Sequence, residues 1–273
     1  MGSAIDAWKE QSESHHAQSI RARGDGPDED MWSPLAESFR DDPRRTEDPV
    51  VNLTRQWLTP QTTVIDVGGG ADRYALPFAL ACKHVTVVDP SPSMLKALED
   101  SAREASIENV STMDSKWEEA EVEPHDVAFC ANVVYGVTDI EPFLRKLDGV
   151  ARELVAIVVY MKAPLSGLSP LWKAVHEEER IDLPALPELL PVLWEMGIYP
   201  NVSMMPATPP RRAPTMDAAL AFARHMLRVE EGSEKDSRLV AAANRLADVT
   251  PEGVTLRKAA PPPGIVWWRK NAP

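Results

Sequence analysis

The sequence predicts an α/β fold: a doubly wound, mostly parallel sheet of seven strands with helices on both faces. Two observations carry this prediction. The β-branched run at residues 64–67 leads into Gly68, Gly69 and Gly70, and the next apolar run, His84–Asp89, ends in an acid. A buried strand, a glycine turn and a second strand with a terminal acid about 20 residues later are typical of doubly wound sheets. Such sheets bind adenosine-bearing ligands at the carboxyl ends of their strands.

Five further apolar runs complete the set of seven predicted strands. They lie at residues 110–113, 127–131, 154–160, 199–205 and 265–268. The helices predicted between the strands cover residues 50–57, 74–83, 92–105, 140–150, 169–179 and 187–196. Ser91 and Pro92 are typical of a helix start, as N-cap and first helical residue, and Gly197 is typical of the residue that follows a helix.

The first 48 residues lie outside this alternation and form a predicted N-terminal helical cap or lid. Within residues 31–40, the apolar side chains at helical spacing are Trp32, Leu35, Ala36 and Phe39. A helix here either covers the ligand or simply packs against the sheet, since periodicity does not separate the two interpretations.

Residues of about 207–250 form a predicted helical insertion before the last strand. Its two helices are expected at about 216–229 and 234–247, the second opening with a capping-box-like Ser233 and Asp236. The insertion covers the substrate pocket, packs on the outside or forms a dimer contact. The main domain is expected to span residues 49–273.

Charge and composition narrow the class of protein. A formal net charge of −13 over 273 residues argues against a nucleic-acid partner, because such proteins neutralise phosphates with a basic surface. No apolar run approaches the roughly 20 residues that span a bilayer. Two cysteines, Cys82 and Cys130, make no disulfide framework, so we expect a cytoplasmic protein. The sequence leaves open whether it is a monomer or a homodimer.

The charges around the glycine turn indicate which ligand it holds. Asp66 and Asp72 bracket the glycines and would repel a dinucleotide's pyrophosphate. S-adenosylmethionine (SAM) has no phosphate and carries a sulfonium, an ammonium and a ribose. Both carboxylates suit its positive end, and Arg73 is placed to pair with its carboxylate. In the alternative interpretation, Asp72 caps the following helix.

Four segments in order resemble the motifs of class I SAM-dependent methyltransferases. Residues 64–72 resemble the first motif and residues 85–89 the second. Asp114 stands where that family places the acid that contacts the adenine amino group, and residues 126–132 resemble the fourth-strand motif beside the transferred methyl. The sequence departs from the family at Asp72, where many members carry a third glycine. The resemblance implies a Rossmann-like SAM-binding domain whose last strand is antiparallel.

The cofactor-binding residues follow from these motifs and from the predicted strand ends. We expect Asp89 to contact the ribose, and Trp117 either to stack on the adenine or to shield the surface. The full predicted set is Asp66, Gly68, Gly69, Gly70, Asp72, Arg73, Asp89, Pro90, Met94, Asp114, Ser115, Trp117, Ala131 and Asn132.

Two further residues are candidates for catalysis. Tyr135 follows the fourth strand, where it is placed to orient a nucleophile or a water, or else to pack. His176, on the helix after the fifth strand, is the best candidate for a general base, although methyl transfer needs one only if the acceptor must lose a proton. We predict no metal site, because the adjacent His15 and His16 do not share a helix face.

The predicted function is in-line transfer of the SAM methyl group to a small-molecule acceptor, with S-adenosylhomocysteine (SAH) as product. Three alternatives remain open at this point. The chain is a catalytically silent SAM-binding partner or sensor, a nicotinamide-dependent oxidoreductase, or an RNA methyltransferase. Fold alone does not name the acceptor.

Overall fold

The computed structural model describes residues 2–23, 30, 32–207, 209, 212–257 and 261–270. Its strands are β1 (Thr63–Val67), β2 (His84–Asp89), β3 (Val110–Asp114), β4 (His125–Ala131), β5 (Ala151–Tyr160), β6 (Asn201–Met204), β7 (Asp248–Thr250), β8 (Gly253–Thr255) and β9 (Pro263–Arg269). All seven predicted strands are present, and β7 and β8 form a separate hairpin that the sequence did not predict.

The main sheet has seven strands in the order β3-β2-β1-β4-β5-β9-β6. β1 to β5 run parallel, and β9 runs antiparallel to both β5 and β6. The order reverses at β1, so the carboxyl ends of β1 and β4 flank the crevice in which doubly wound folds bind ligands. The predicted fold class and the antiparallel last strand are confirmed.

Nine helices are assigned in the described part of the chain. They are α1 (Ala4–Arg23), α2 (Pro49–Thr54), α3 (Ala75–Ala79), α4 (Pro92–Ala105), α5 (Ile140–Val150), α6 (Ser169–His176), α7 (Leu186–Glu195), α8 (Met216–Leu227) and α9 (Glu234–Leu246). The predicted start of α4 is confirmed, because Ser91 Oγ accepts a hydrogen bond from the Met94 N–H at 3.3 Å.

The helices cover both faces of the sheet, as predicted. Side chains of α1, α5 and α7 pack on one face, and those of α2, α3 and α4 pack on the other. Successive residues of a strand point to opposite faces, so Ile65 of β1 joins the first core while Val64 joins the second. Burial on both faces explains why the central strands are continuous apolar runs.

Three helices are shorter than the sequence predicted, and the first is α2, which ends at Thr54 and is followed by a 3-10 helix at Arg55–Trp57. α3 ends at Ala79 and not near Lys83, because the Asn109 amide, from the loop before β3, donates to the Ala79 and Cys82 carbonyls at 2.8 and 3.1 Å. α6 ends at His176, where Glu177 takes a left-handed conformation with φ of 59°. A tertiary hydrogen bond therefore decides where α3 ends, and a left-handed residue decides where α6 ends.

The N-terminal segment contributes two helical pieces. α1 packs against α5 and α7, while Ser33–Phe39 forms a 3-10 helix, not the α-helix that its spacing predicted, and packs on α4. Met31, the first residue of that prediction, lies outside the described residues. The assignment of residues 1–48 as a cap stays a prediction.

The insertion builds a third apolar core of its own. α8 and α9 pack with α6 around Leu171, Leu220 and Leu239, and the β7–β8 hairpin closes one side of this core. Ser233 caps α9 as predicted, because its Oγ accepts from the Asp236 N–H at 3.1 Å. Residues 208, 210 and 211 of the Pro-rich linker lie outside the described residues. Among the described helices, none is both long and apolar enough to cross a membrane.

Trp8 ties α1 to the loop that follows β4. Its side chain is 1% exposed, and its Nε1–H donates to the Val137 carbonyl at 2.8 Å. We expect Trp8→Ala to lower the free energy of unfolding by about 3–5 kcal/mol through the cavity left behind. Trp8→Phe, which mainly loses the hydrogen bond, should cost about 1–2 kcal/mol.

Urea unfolding checks both values, with Trp194→Ala as control. Trp194 is 51% exposed, so its truncation should change the stability by about 0.5 kcal/mol or less. Equal losses at Trp8 and Trp194 would show that α1 is not anchored by this contact.

Candidate active site

The glycine turn after β1 lies against the loop after β4. Gly68 and Gly70 have φ of +67° and +62°, in the left-handed region that side chains rarely adopt. A Cβ on Gly68 would lie 2.3 Å from Cγ2 of Val133. The turn therefore needs glycine for its conformation and for the close approach of the two loops.

Asp66 is the most unusual residue of the site. Its side chain is fully buried, and neither carboxylate oxygen has a hydrogen-bond partner among the described residues. Burial, reinforced by the charge of Asp89, raises the pKa of Asp66 to about 8. A buried acid without a partner costs stability, and a cationic ligand group is the partner that would compensate it.

Asp89 joins the glycine turn to the start of α4. One oxygen accepts from the Gly70 N–H at 3.0 Å, and the other accepts from the Ser91 N–H at 2.9 Å. Burial raises the pKa of Asp89, and these two hydrogen bonds oppose the rise. Each oxygen keeps a lone pair that can accept from a ligand hydroxyl.

The other predicted residues on this side lie in different environments. Asp114 is opposite Asp89 in the β2–β3 register and is exposed, as is Pro90, whereas Ser115 is half-buried. Met94 is buried, and its methyl carbon would lie 2.9 Å from a Cβ on Gly70. The structure thus brings the glycine turn, β2 and α4 together.

Trp117 lies in the core. It is 5% exposed, its indole N–H donates to the Phe143 carbonyl at 3.4 Å, and the Lys146 ammonium lies 4.5 Å from its ring centroid. Contacts with α5 therefore occupy this ring. The geometry favours packing over the predicted stacking on adenine.

Asp72 and Arg73 contact the N-terminal segment. Asp72 accepts from the Asp41 N–H at 3.0 Å, and Arg73 lies 3.7 Å from the Asp48 carboxylate. Burial raises the pKa of Asp72. Tyr74 is the N-cap of α3 and makes no side-chain cap, so the alternative in which Asp72 caps that helix is wrong.

The loop after β4 carries a strained residue. Asn132 has φ of +63°, its N–H donates to the Val158 carbonyl at 3.0 Å, and its side chain is exposed. Ala131, the last residue of β4, is half-buried. Non-glycine residues in this conformation cluster at functional sites, and the position of Asn132 beside the transferred methyl group stays a prediction.

Tyr135 connects the ends of β4 and β5. Its hydroxyl accepts from the Tyr160 N–H at 2.6 Å, and the ring is 5% exposed. Burial raises the pKa of this phenol, so the hydroxyl stays protonated and has one hydrogen left to donate. The contact favours positioning of the strand ends, and the predicted orientation of a nucleophile stays a prediction.

His176 lies in the helical insertion core. Its Nε2 is 2.9 Å from the Leu227 carbonyl, and its ring packs on Trp172 with centroids 4.1 Å apart. Burial lowers the pKa of His176. These contacts join α6 to α8, so the geometry disfavours the predicted role as general base.

Sequence reasoning missed Asp30 at this site. Its Oδ2 accepts from Ser91 Oγ at 2.5 Å, and its charge contributes to the raised pKa of Asp89. No local pattern indicated this position, because tertiary folding alone brings Asp30 to the start of α4. Among the described residues, no group of three or more His, Cys, Asp or Glu side chains is arranged to hold a metal.

Known proteins share this domain and fold. Residues 65–159 match the family model described as a methyltransferase domain, while no curated protein matches the chain. The chain is similar to the solved YcgJ protein of Bacillus subtilis, with 14% identity, a TM-score of 0.56 and coverage of 82% of this chain and 98% of that chain.

It is also similar to a SAM-dependent methyltransferase of Geobacter sulfurreducens in complex with SAH. The identity is 16%, the TM-score 0.52, and the coverage 87% of this chain and 96% of that chain. Likeness at these identities shows the fold. The family match shows that residues 65–159, from β1 to β5, form a methyltransferase domain.

The Asp66→Asn variant tests the cost of the buried acid. The folded-state pKa of about 8 lies above the ordinary value of 3.8, so between these values the folded state binds more protons than the unfolded state. Wild-type stability therefore falls as the pH rises through this window. We expect Asp66→Asn to raise the melting temperature of the ligand-free protein more near pH 8 than near pH 4.

Scanning calorimetry across that range measures the effect. Asp126→Asn is the control, because Asp126 is not deeply buried and its carboxylate accepts from the Thr63 N–H at 2.7 Å. That variant should lower the melting temperature. A pH-independent effect of Asp66→Asn would contradict the raised pKa.

Tyr135→Phe tests the tie between β4 and β5. The variant keeps the ring but leaves the Tyr160 N–H without its acceptor, so we expect a loss of about 1–3 kcal/mol in the free energy of unfolding. Denaturant titration gives this value. A loss near zero would mean that the hydroxyl is free for another role.

Proposed function

We propose that this protein is a SAM-dependent methyltransferase that holds SAM at the carboxyl ends of β1, β2 and β4 and methylates a small molecule. The observation that carries the cofactor assignment is the pair of unpartnered oxygens on the buried Asp66, beside a glycine turn. A phosphate-bearing dinucleotide would place negative charge beside this acid. The ammonium and sulfonium of SAM offer the opposite charge.

Each end of the cofactor has residues suited to it. We assign Asp66 and the glycine turn to the amino-acid part, with Arg73 as partner for its carboxylate. Asp89 is assigned to the ribose and Asp114 to the adenine. Ser115, Pro90 and Met94 follow the ends of β3 and β2, and Ala131 and Asn132 lie on the β4 side, as expected of residues that border the methyl group.

Bound SAM supplies an activated methyl group on a sulfonium sulfur, which keeps the bonding electron pair when the methyl group leaves. The protein's contribution is to align the acceptor and exclude water. The rigid contact of Tyr135 with Tyr160 supports alignment, because it fixes the two strand ends beside the Asn132 loop. A general base is needed only for an acceptor that must lose a proton.

A small-molecule acceptor is favoured by the charge of the chain. The net charge of −13 opposes a phosphate-rich partner. We also propose residues 1–48 as a cap on a domain of residues 49–273. Ser33–Phe39 contacts the α4 side through Ala36, which packs in a small apolar cluster with Ala71 and Met94. This contact supports the proposed cap, because Ala71 directly follows the glycine turn.

Calorimetric titration with SAM, SAH and NADH tests the proposal. We expect wild type to bind SAM and SAH but not NADH, and Asp89→Ala to lose at least about tenfold in affinity, since the variant removes ribose and turn contacts together. Asp100→Ala is the control, because Asp100 lies on α4 and pairs with exposed Lys96 and Arg103. Unchanged SAM affinity in a folded Asp89→Ala variant would contradict the assignment.

Titrations at several pH values test Asp66 separately. If a cation binds the ionised form, SAM affinity should fall by up to about tenfold for each pH unit below about 8. Asp66→Asn should bind SAM weakly and without this dependence. A pH dependence that persists in Asp66→Asn would assign the titration to another group.

A further inference from the structure

The strand β6 lies at one edge of the main sheet. β9 pairs with one side of it, and no strand in the described part of the chain pairs with the other side. An edge strand presents unpaired backbone N–H and C=O groups, which natural proteins commonly protect with charged side chains or prolines in the strand. The four residues of β6, Asn201–Met204, contain neither. This edge is therefore open to pairing with a further strand.

The pairing with β9 fixes which backbone groups of β6 face outward. Met205, which continues the β6–β9 register, donates its N–H to the Pro263 carbonyl at 2.8 Å. Residues of an antiparallel pair alternate between positions that hydrogen-bond to the partner strand and positions that do not. Ser203 is therefore also bonded to β9, whereas the N–H and C=O groups of Val202 and Met204 point away from it.

The side chains at these two positions extend an apolar core to the surface. A Cβ on Gly264 of β9 would lie 3.2 Å from Met204 Sδ and 3.6 Å from Val202 Cγ1. It would also lie 3.0 Å from Leu186 of α7, so all three side chains share one face of the sheet. Leu186 is buried in the core on that face, but Val202 and Met204 are 40% and 47% exposed. A further strand along this edge would cover them.

The stretch of chain around β6 carries no charge. Residues 196–210 contain no charged side chain, although 26% of all residues are charged. Two copies of a chain with a net charge of −13 repel each other, so they approach with least repulsion through an uncharged surface. A partner strand selected by its charge would find no opposite charge in this stretch. The charge pattern favours a second copy of this chain.

Two prolines define the register of a pair of β6 strands. Pro200 and Pro206 lie equally far in sequence from Ser203, and both lack the N–H that a strand ladder needs. With a two-fold axis at Ser203, each Val202 lies opposite the second copy's Met204, and the two residues exchange both backbone hydrogen bonds. The prolines then face each other where the ladder ends. A shift by two residues would place Val202 or Met204 opposite a proline.

We propose that β6 forms a homodimer interface, in which the β6 strands of two copies pair antiparallel about a two-fold axis at Ser203. The two main sheets then form one continuous sheet, and Val202 of each copy covers the second copy's Met204 on the α7 face. This inference concerns assembly and is independent of the proposed function. Because each β6 has only four residues, the interface is small, and we expect a dissociation constant in the micromolar range.

Sedimentation equilibrium of the full chain measures the dimer. We expect the wild type to change from monomer to dimer over a concentration range of roughly 1–200 μM. Added salt should strengthen the dimer slightly, because salt screens the repulsion between two acidic copies. A dimer that dissociates in high salt would be held by ion pairs, which contradicts an uncharged interface.

Val202→Lys tests the location of the interface. A lysine at this position places a charge at the paired edge, so the dissociation constant should rise at least about tenfold. Val249→Lys is the matched control, because Val249 lies on β7, is 64% exposed and changes the net charge equally. The control should dimerise like the wild type. Circular dichroism and the melting temperature check that both variants are folded.

Ser203→Cys tests the register. At the two-fold axis the two residues form a non-hydrogen-bonded pair, with Cα atoms about 4.5 Å apart, which is within the range that a disulfide bridges. With oxidised glutathione as oxidant, this variant should form a covalent dimer, whereas Cys82 and Cys130 are buried. Asn201→Cys is the control. Asn201 would lie opposite the second copy's Met205, so its two introduced thiols are too far apart to join.

Three results would overturn the proposal. A wild-type chain that stays monomeric throughout the concentration range would leave this edge to a different partner. Equal weakening of the dimer by Val202→Lys and Val249→Lys would place the interface elsewhere. Disulfide formation as fast in Asn201→Cys as in Ser203→Cys would contradict the two-fold axis at Ser203. None of these measurements depends on SAM binding, so they are separate from the test of the proposed function.

Discussion

The active site is organised around one unfavourable interaction, the burial of the Asp66 carboxylate without a partner. β1 is buried on both faces of the sheet, so Asp66 has no water with which to form hydrogen bonds. The glycines that follow bring the backbone close above it, because a side chain at Gly69 would lie 2.9 Å from the Asp66 carboxylate. The ligand-free protein thus carries a destabilising buried acid, and a cationic ligand, as we propose, would compensate its charge.

The remaining site residues hold this geometry in place. Asp89 fixes the turn from the β2 side by accepting from Gly70 and Ser91, and Val133 closes it from the β4 side. Tyr135 then joins the β4 loop to the end of β5.

Local sequence patterns were sufficient to predict the structure where burial or helix capping alone decides it. The run around Ile65 is apolar throughout because helices cover both faces of its strand, and the start of α4 follows from the capping chemistry of Ser91. They were insufficient where a distant residue intervenes. Asn109 ends α3 early, and α5 encloses Trp117, which the sequence alone left between adenine stacking and surface shielding.

The sequence by itself determined the fold class, because strand periodicity and the glycine turn specify a doubly wound sheet through residues close together in the chain. Tertiary structure decided which polar side chains remain available to bind a ligand. It engaged His176 with Leu227 and anchored Asp72 to Asp41, and it left the Asp66 carboxylate without a partner among the described residues. The physical reason is that hydrogen-bond satisfaction and charge compensation depend on partners far apart in sequence, which periodicity does not record.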